Sequence, residues 1–134
     1  MSLCVIDCSF FVGWILPDEE KIEFDPLSVS VHVPSVFFLE LLSALKKSLK
    51  RQRITKQEYD EFIEYCESLP FTVDHFSSTQ ESLGAISRLS MEHNLTSYDA
   101  SYLELALRLK APLGTFDKKI LDACKLEKVK NLIR

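Results

Sequence analysis

Glycine is nearly missing from this chain, with three in 134 residues. A glycine-rich loop able to cradle phosphates is therefore absent. That removes P-loop and dinucleotide-binding readings. A C-x-x-C pair is missing too. Cys4, Cys8, Cys66 and Cys124 stand too far apart in pattern for a zinc or redox motif. They read as reduced thiols, mostly in the core of a cytoplasmic protein. No apolar run reaches the roughly 18 residues of a membrane span. Met1 leads straight into an apolar segment, without the basic start of a signal peptide. The expectation is a cytoplasmic protein with no membrane contact. Nor is there a basic excess: 16 Lys+Arg against 20 Asp+Glu give a formal charge of −4. Such a surface does not draw polyanions as a whole. A nucleic-acid ligand would need a local basic patch or a bound cation. Finally, His32, His75 and His93 are scattered, so the usual donors of a zinc site are not grouped.

What is present is core material. Hydrophobic residues make up 46% of the chain and charged residues 27%, as expected for one compact domain spanning residues 1–134. Leu3-Cys4-Val5-Ile6 is a short apolar run ending at Asp7 and reads as a buried parallel strand. Residues 9–16 read as a helix stopped by Pro17. After Asp18 comes a weak acidic helix, then a loop around Pro26. Residues 29–33 alternate valine with polar residues, as a strand does. Pro34-Ser35 opens a long helix to about Arg53. Thr55-Lys56-Gln57-Glu58 is a capping box, starting a helix that Pro70 ends. Phe71-Thr72-Val73 is a third strand. A second capping box, Ser78 to Glu81, starts a helix to about His93. Another helix covers residues 96–109. Residues 111–116 form a strand ending at Asp117, residues 117–125 a helix, and residues 129–133 a last strand.

Strands alternating with helices predict an α/β fold of three α/β/α layers. Its central sheet should be mostly parallel, with four to five strands. In such sheets ligands bind beyond the carboxyl ends of the strands. Asp7 and Asp117 stand at two such ends.

Glu40 carries the strongest single signal. It interrupts the apolar run Val36-Phe37-Phe38-Leu39-Glu40-Leu41-Leu42, where an unpaired carboxylate costs several kcal/mol, an order of magnitude set by desolvation. A metal, a catalytic role or an ion pair has to offset that cost. Asp7, Asp99 and Asp117 each have a plainer reading, as helix caps or first-turn acids that complement the helix dipole. Brought to one end of a sheet, the four acids would repel one another. A hard cation such as Mg²⁺ or Mn²⁺ relieves that repulsion and suits phosphoryl chemistry.

Four blocks resemble a PIN domain, most closely the VapC-type toxin ribonucleases. They are Val5-Ile6-Asp7-Cys8-Ser9, then Val33-Pro34-Ser35 followed by Glu40. Next comes Leu95-Thr96-Ser97-Tyr98-Asp99-Ala100-Ser101-Tyr102-Leu103-Glu104-Leu105-Ala106, and last Leu113-Gly114-Thr115-Phe116-Asp117-Lys118-Lys119-Ile120-Leu121. The resemblance implies a metal site of Asp7, Glu40, Asp99 and Asp117, with Ser9 and Thr115 hydroxyls near the metal or phosphate. It implies Mg²⁺- or Mn²⁺-dependent endoribonuclease action and homodimers. VapC-type members are held inactive by a cognate antitoxin. Two departures stand out: Gly114 is loose for a strand, and residues 18–30 match poorly.

For RNA contact, Lys118 and Lys119 beside Asp117 are the first candidates. The run Lys46, Lys47, Lys50, Arg51 and Arg53 offers a second path, or serves only the C-terminal dipole of its helix. Trp14, Phe10 and Phe11 read as core or dimer surface. Two other functions compete. An aspartyl phosphatase of the haloacid-dehalogenase type would use Asp7 as nucleophile, but it needs a second Asp where Ser9 stands. A non-catalytic PIN-like module would bind RNA or protein beside an idle acid pocket.

Overall fold

The computed structural model describes residues 1–16 and 23–132. The acidic helix expected after Asp18 falls largely on residues 17–22, outside the described residues. Among the described residues four parallel strands form one sheet: β1 (Leu3–Ile6), β2 (Ser30–Pro34), β3 (Thr72–Asp74) and β4 (Leu113–Gly114). Their order is β3-β2-β1-β4. The helices that flank them are α1 (Cys8–Ile15), α2 (Phe37–Lys50), α3 (Lys56–Glu67), α4 (Leu83–His93), α5 (Ser97–Leu109) and α6 (Lys118–Glu127). The expected α/β class and parallel sheet are therefore observed. Cys4, Val5 and Ile6 are all buried. An unbroken apolar strand is what a sheet covered on both faces requires. Helix α5 lies against β1 and β2 and packs on α4 and α6. Its residues Ala100 to Ala106 are buried without a break.

Four boundaries differ from expectation. Pro34 ends β2 instead of opening α2, which starts at Phe37. It pairs with Asp74, past the end of the β1–β2 register, at a strand terminus where a missing N–H costs least. The Ser78–Glu81 capping box does not form. Residues 76–78 and 80–82 make two short 3-10 turns, and α4 starts at Leu83. There the Thr79 hydroxyl donates to the Phe76 carbonyl and the Ser82 hydroxyl to the Thr79 carbonyl. Such local bonds compete with the helix. The strand over residues 111–116 shrinks to Leu113–Gly114. The expected last strand reduces to one parallel bridge, Leu113 to Asn131, with Ile133 outside the described residues. The Thr55 capping box forms in full.

Helix α2 is less buried than its composition suggests. Leu39 and Leu42 are exposed, while Phe37, Leu41 and Leu45 face the core. The carboxylate that is nearly buried in an apolar helix is Glu104, at 6% exposure. Arg108 answers it with Nε to Oε2 at 2.8 Å and also forks onto Asp74 at 2.7 and 3.0 Å. That network ties the end of β3 to α5. All four cysteines are free thiols. Burial pushes Cys4 up to about 11 and Cys8 to about 12, so both stay protonated at neutral pH. Phe10 and Phe11 are core residues, and Trp14 packs against Phe11 and Phe24. Among the described residues no helix is long and apolar enough to cross a membrane.

Candidate functional site

The sheet changes direction of growth at β1, with β2 on one side and β4 on the other. Such a switch opens a crevice beyond the carboxyl ends of the two strands. Asp7 follows β1 directly, and Thr115 follows β4. The Asp7 amide donates to the Gly114 carbonyl at 3.0 Å, extending the ladder into the crevice.

Asp7 is the anchor. It caps α1, accepting from the Phe10 amide at 2.9 Å, and Ser9 Oγ donates to the same oxygen, Oδ1, at 2.7 Å. Thr115 Oγ1 donates to Oδ2. The capping reading is therefore correct, but it describes half the residue. A helix cap needs one carboxylate oxygen; here both are held, by groups from two elements, at 4% exposure. Ser9 and Thr115 also receive the amides of Phe116 and Asp117, each at 3.0 Å. They splice the α1 and α6 starts together around Asp7.

Asp117 caps α6, with Oδ1 accepting from the Ile120 amide at 3.1 Å. Asp99 sits in the first turn of α5, where Thr96 Oγ1 accepts its amide at 3.1 Å. Glu40 rises from the first turn of α2. Tyr102 Oη donates to its Oε1 at 2.5 Å. Tyr102 is fully buried and so ties the Glu40 carboxylate of α2 to α5. The sequence reading passed over Tyr102, yet its signal was there: three residues past Asp99, it lies on the same helix face.

The four acids sense one another. Burial is the largest cause raising Asp7, Glu40 and Asp99 above the usual carboxylate range. Asp99 further raises both Asp7 and Glu40, and Asp117 raises Asp99. The Thr96 side chain and the Lys119 charge pull Asp99 the other way. Lys118 and Lys119 are both exposed at the start of α6, with Lys119 near enough for Asp99 to feel its charge. The basic run at the end of α2 is further off. Lys46 stands six residues past Glu40 and Lys50 ten, which at 1.5 Å per residue is about 9–15 Å along the axis of α2.

A different acidic group converges more tightly. Ligand atoms of Glu92, His93 and Glu127 lie within 4.8 Å of one another. Here, however, His93 Nε2 donates to Glu127 Oε2 at 2.7 Å, and Arg88 reaches Glu92 at 2.9 Å and Glu127 at 3.5 Å. Arg88 and His93 thus engage both carboxylates, and the group fastens α4 to α6. Among the described residues no ion pair joins a crevice acid, so their repulsion is offset only by the Lys119 charge near Asp99.

That repulsion sets a pH dependence. Asp99 has a raised folded-state value, so it favours folding below its unfolded value near 4. The benefit is lost as pH rises through the folded value. With metal chelated, Asp99→Asn is expected to melt roughly 2–3 °C higher at pH 7. That corresponds to about 0.5–1 kcal/mol after discounting for solvent screening at this half-exposed position. The gain should vanish below about pH 4, where Asp99 is protonated in both states. Calorimetric melting across that range checks it, and a gain that persists in acid refutes it.

Comparison with curated proteins gives no match. Among solved structures, the crystal structure of PAE2754 from Pyrobaculum aerophilum superposes with a TM-score of 0.63 at 22% identity, covering 92% of this chain and 79% of that one. It supports the fold alone. The PIN domain family profile matches residues 4–126, a span containing every crevice acid. The chain belongs to the PIN domain family, a nuclease-type family.

Proposed function

We propose that this chain is a divalent-metal-dependent endoribonuclease, the toxin of a type II toxin–antitoxin pair, with Asp7, Glu40, Asp99 and Asp117 as its metal-binding and catalytic acids. The observation that carries the nuclease reading is the set of four carboxylates around one switch-point crevice, which raise one another and form no ion pair among the described residues. The toxin role, the cognate antitoxin and the homodimer rest on the VapC resemblance of the sequence blocks. RNA as substrate rests on the family.

The donor set fits Mg²⁺ or Mn²⁺: hard carboxylate oxygens, with Cys8 kept as a thiol beside them. When bound, such an ion supplies Lewis-acid polarisation of a phosphate and a lowered pKa for water. The chain's own groups do the rest. Asp7 is the most rigid donor, locked through both oxygens. Tyr102 holds one oxygen of Glu40, which leaves the other for a ligand. Asp117 spends Oδ1 on its cap and presents Oδ2. Asp99 has a carboxyl raised mainly by burial, against the opposing pull of the Thr96 side chain, and suits a general base that takes the proton of the attacking water. Lys119 stands where it meets the substrate's phosphate, and Lys118 beside it adds charge at the same helix start. Ser9 and Thr115 are fixed to Asp7 and act on the substrate mainly through it.

Single-stranded RNA should be cut by the wild-type protein in Mn²⁺, left intact in excess chelator, and left intact by Asp99→Asn in Mn²⁺. Gel analysis of an end-labelled RNA reads all three. Full cleavage in chelator or by Asp99→Asn refutes the reading.

A further inference from the structure

Beside the acid crevice lies an open groove of about 660 Å³. It runs between the start of α2, the 3-10 turns, α4 and the start of α5. Two of its lining residues are sequence neighbours of crevice acids: Leu39 precedes Glu40, and Tyr98 precedes Asp99. The groove therefore borders the two helices that carry Glu40 and Asp99, although none of the four acids lines it. Its chemistry differs sharply from that of the crevice. Among the described residues no charged side chain lines it. Three of its large side chains are exposed: Leu39 at 68%, Leu83 at 67% and Tyr98 at 59%. Around them stand serine hydroxyls. Ser35 Oγ lies 2.5 Å from Ser78 Oγ and 3.3 Å from Ser77 Oγ, across the gap between α2 and the turns.

An uncharged groove neutralises no phosphate, so it cannot hold the backbone of a nucleic acid. One exposed aromatic face with apolar edges and neutral hydroxyls is the chemistry of a base pocket. Single-stranded RNA is recognised by stacking splayed bases on aromatic rings and by hydrogen bonds to their edges. We propose that this groove takes a nucleobase adjoining the scissile phosphate, stacked on Tyr98 between Leu39 and Leu83, with the serine hydroxyls meeting its edge. The proposal rests on the nuclease reading for the direction of approach. Phosphate and base are divided between the two halves of one surface: the crevice and Lys119 take the charge, and the neutral groove takes the ring. The failure of the second Ser78 capping box belongs to the same picture, because the 3-10 turns set Ser77 and Ser78 opposite Ser35.

The test uses two probes in chelator, so that binding is read without cleavage. One is a fluorescein-labelled oligoadenylate; the other is an abasic sugar–phosphate oligomer of equal length. Wild type should bind the first more tightly than the second. Tyr98→Ala should weaken oligoadenylate binding about tenfold, leave abasic binding unmoved, and bind Mn²⁺ as wild type does. Tyr98→Phe, which keeps the ring, should bind the oligoadenylate within about twofold of wild type. Equal affinity of wild type for the two oligomers overturns the proposal. So does an oligoadenylate affinity that Tyr98→Ala does not change, and so does no binding at all, which would leave the groove to a protein partner. Loss of the nuclease reading shows separately, as wild-type protein that binds the oligomer but cuts no RNA in Mn²⁺.

Discussion

Asp7→Asn is expected to lower metal-dependent RNA cleavage by on the order of 10³-fold, about 4 kcal/mol of barrier. Its melting temperature in chelator should stay within about 3 °C of wild type. The two halves of this expectation have different causes. Asparagine is as good an N-cap as aspartate, so Oδ1 still accepts from the Phe10 amide and Ser9. At Oδ2 the amide nitrogen meets Thr115 Oγ1, and the hydroxyl reverses its role from donor to acceptor. The fold keeps its bonds, and the crevice loses a negative charge at its most rigid point. The Mn²⁺ enthalpy measured by calorimetry should fall with the activity, and the thermal stabilisation by excess Mn²⁺ seen in wild type should shrink with it. Cleavage within tenfold of wild type would remove Asp7 from the proposed metal set. A collapsed melting temperature would instead mark it as a structural cap. Asp7→Ala does not separate these outcomes, because it strips the cap as well.

The reach of the sequence differs from residue to residue, for physical reasons. The strand before Asp7 was legible because a two-sided parallel strand admits only apolar residues. The Thr55 box was legible because its two reciprocal bonds are local. The Ser78 box failed on the same pattern, because Ser and Thr hydroxyls also bond neighbouring carbonyls. Which set wins depends on packing that lies outside the four-residue window. Glu40 was singled out for the cost of burying a carboxylate. In the fold it is only half-buried; the cost argument applies more strictly to Glu104, whose partner Arg108 four residues on was visible in the same helix. The acid crevice itself rests on long-range pairings, such as Thr115 to Asp7 across 108 positions, that no periodicity encodes. Asp7 follows β1 directly, whereas β4 stops three residues before Asp117, and capping accounts for both acids without deciding their role.

Gly114 is the residue where the sequence looked loosest and the structure is tightest. A Cβ built there would meet Phe10 Cδ2 at 2.8 Å, Cε2 at 3.0 Å and Leu132 Cδ2 at 3.1 Å. The Phe10 ring has little room to retreat. Phe24 meets it edge-on at 5.2 Å, and Phe116 stacks at 6.0 Å. Glycine is thus required by close approach, without any unusual backbone angle. Gly114→Ala is expected to cost about 1–3 kcal/mol of stability by overpacking. For a chain of this size that lowers the melting temperature by roughly 4–10 °C. The damage should also reach the crevice. Phe10 supplies the amide that Asp7 caps, the Gly114 carbonyl accepts the Asp7 amide, and Thr115 is the next residue. A ring displaced by a few tenths of an ångström moves all three. The decisive form is a double-mutant cycle with Phe10→Leu, which removes ring atoms facing Gly114. Phe10→Leu alone should destabilise by leaving space, while the double variant should recover at least about 1 kcal/mol relative to the sum of the two single effects. Strict additivity would show that the Phe10 contact does not explain the glycine. Recovery of stability together with Mn²⁺ affinity would show that one packing contact sets the position of the proposed metal-binding carboxylate.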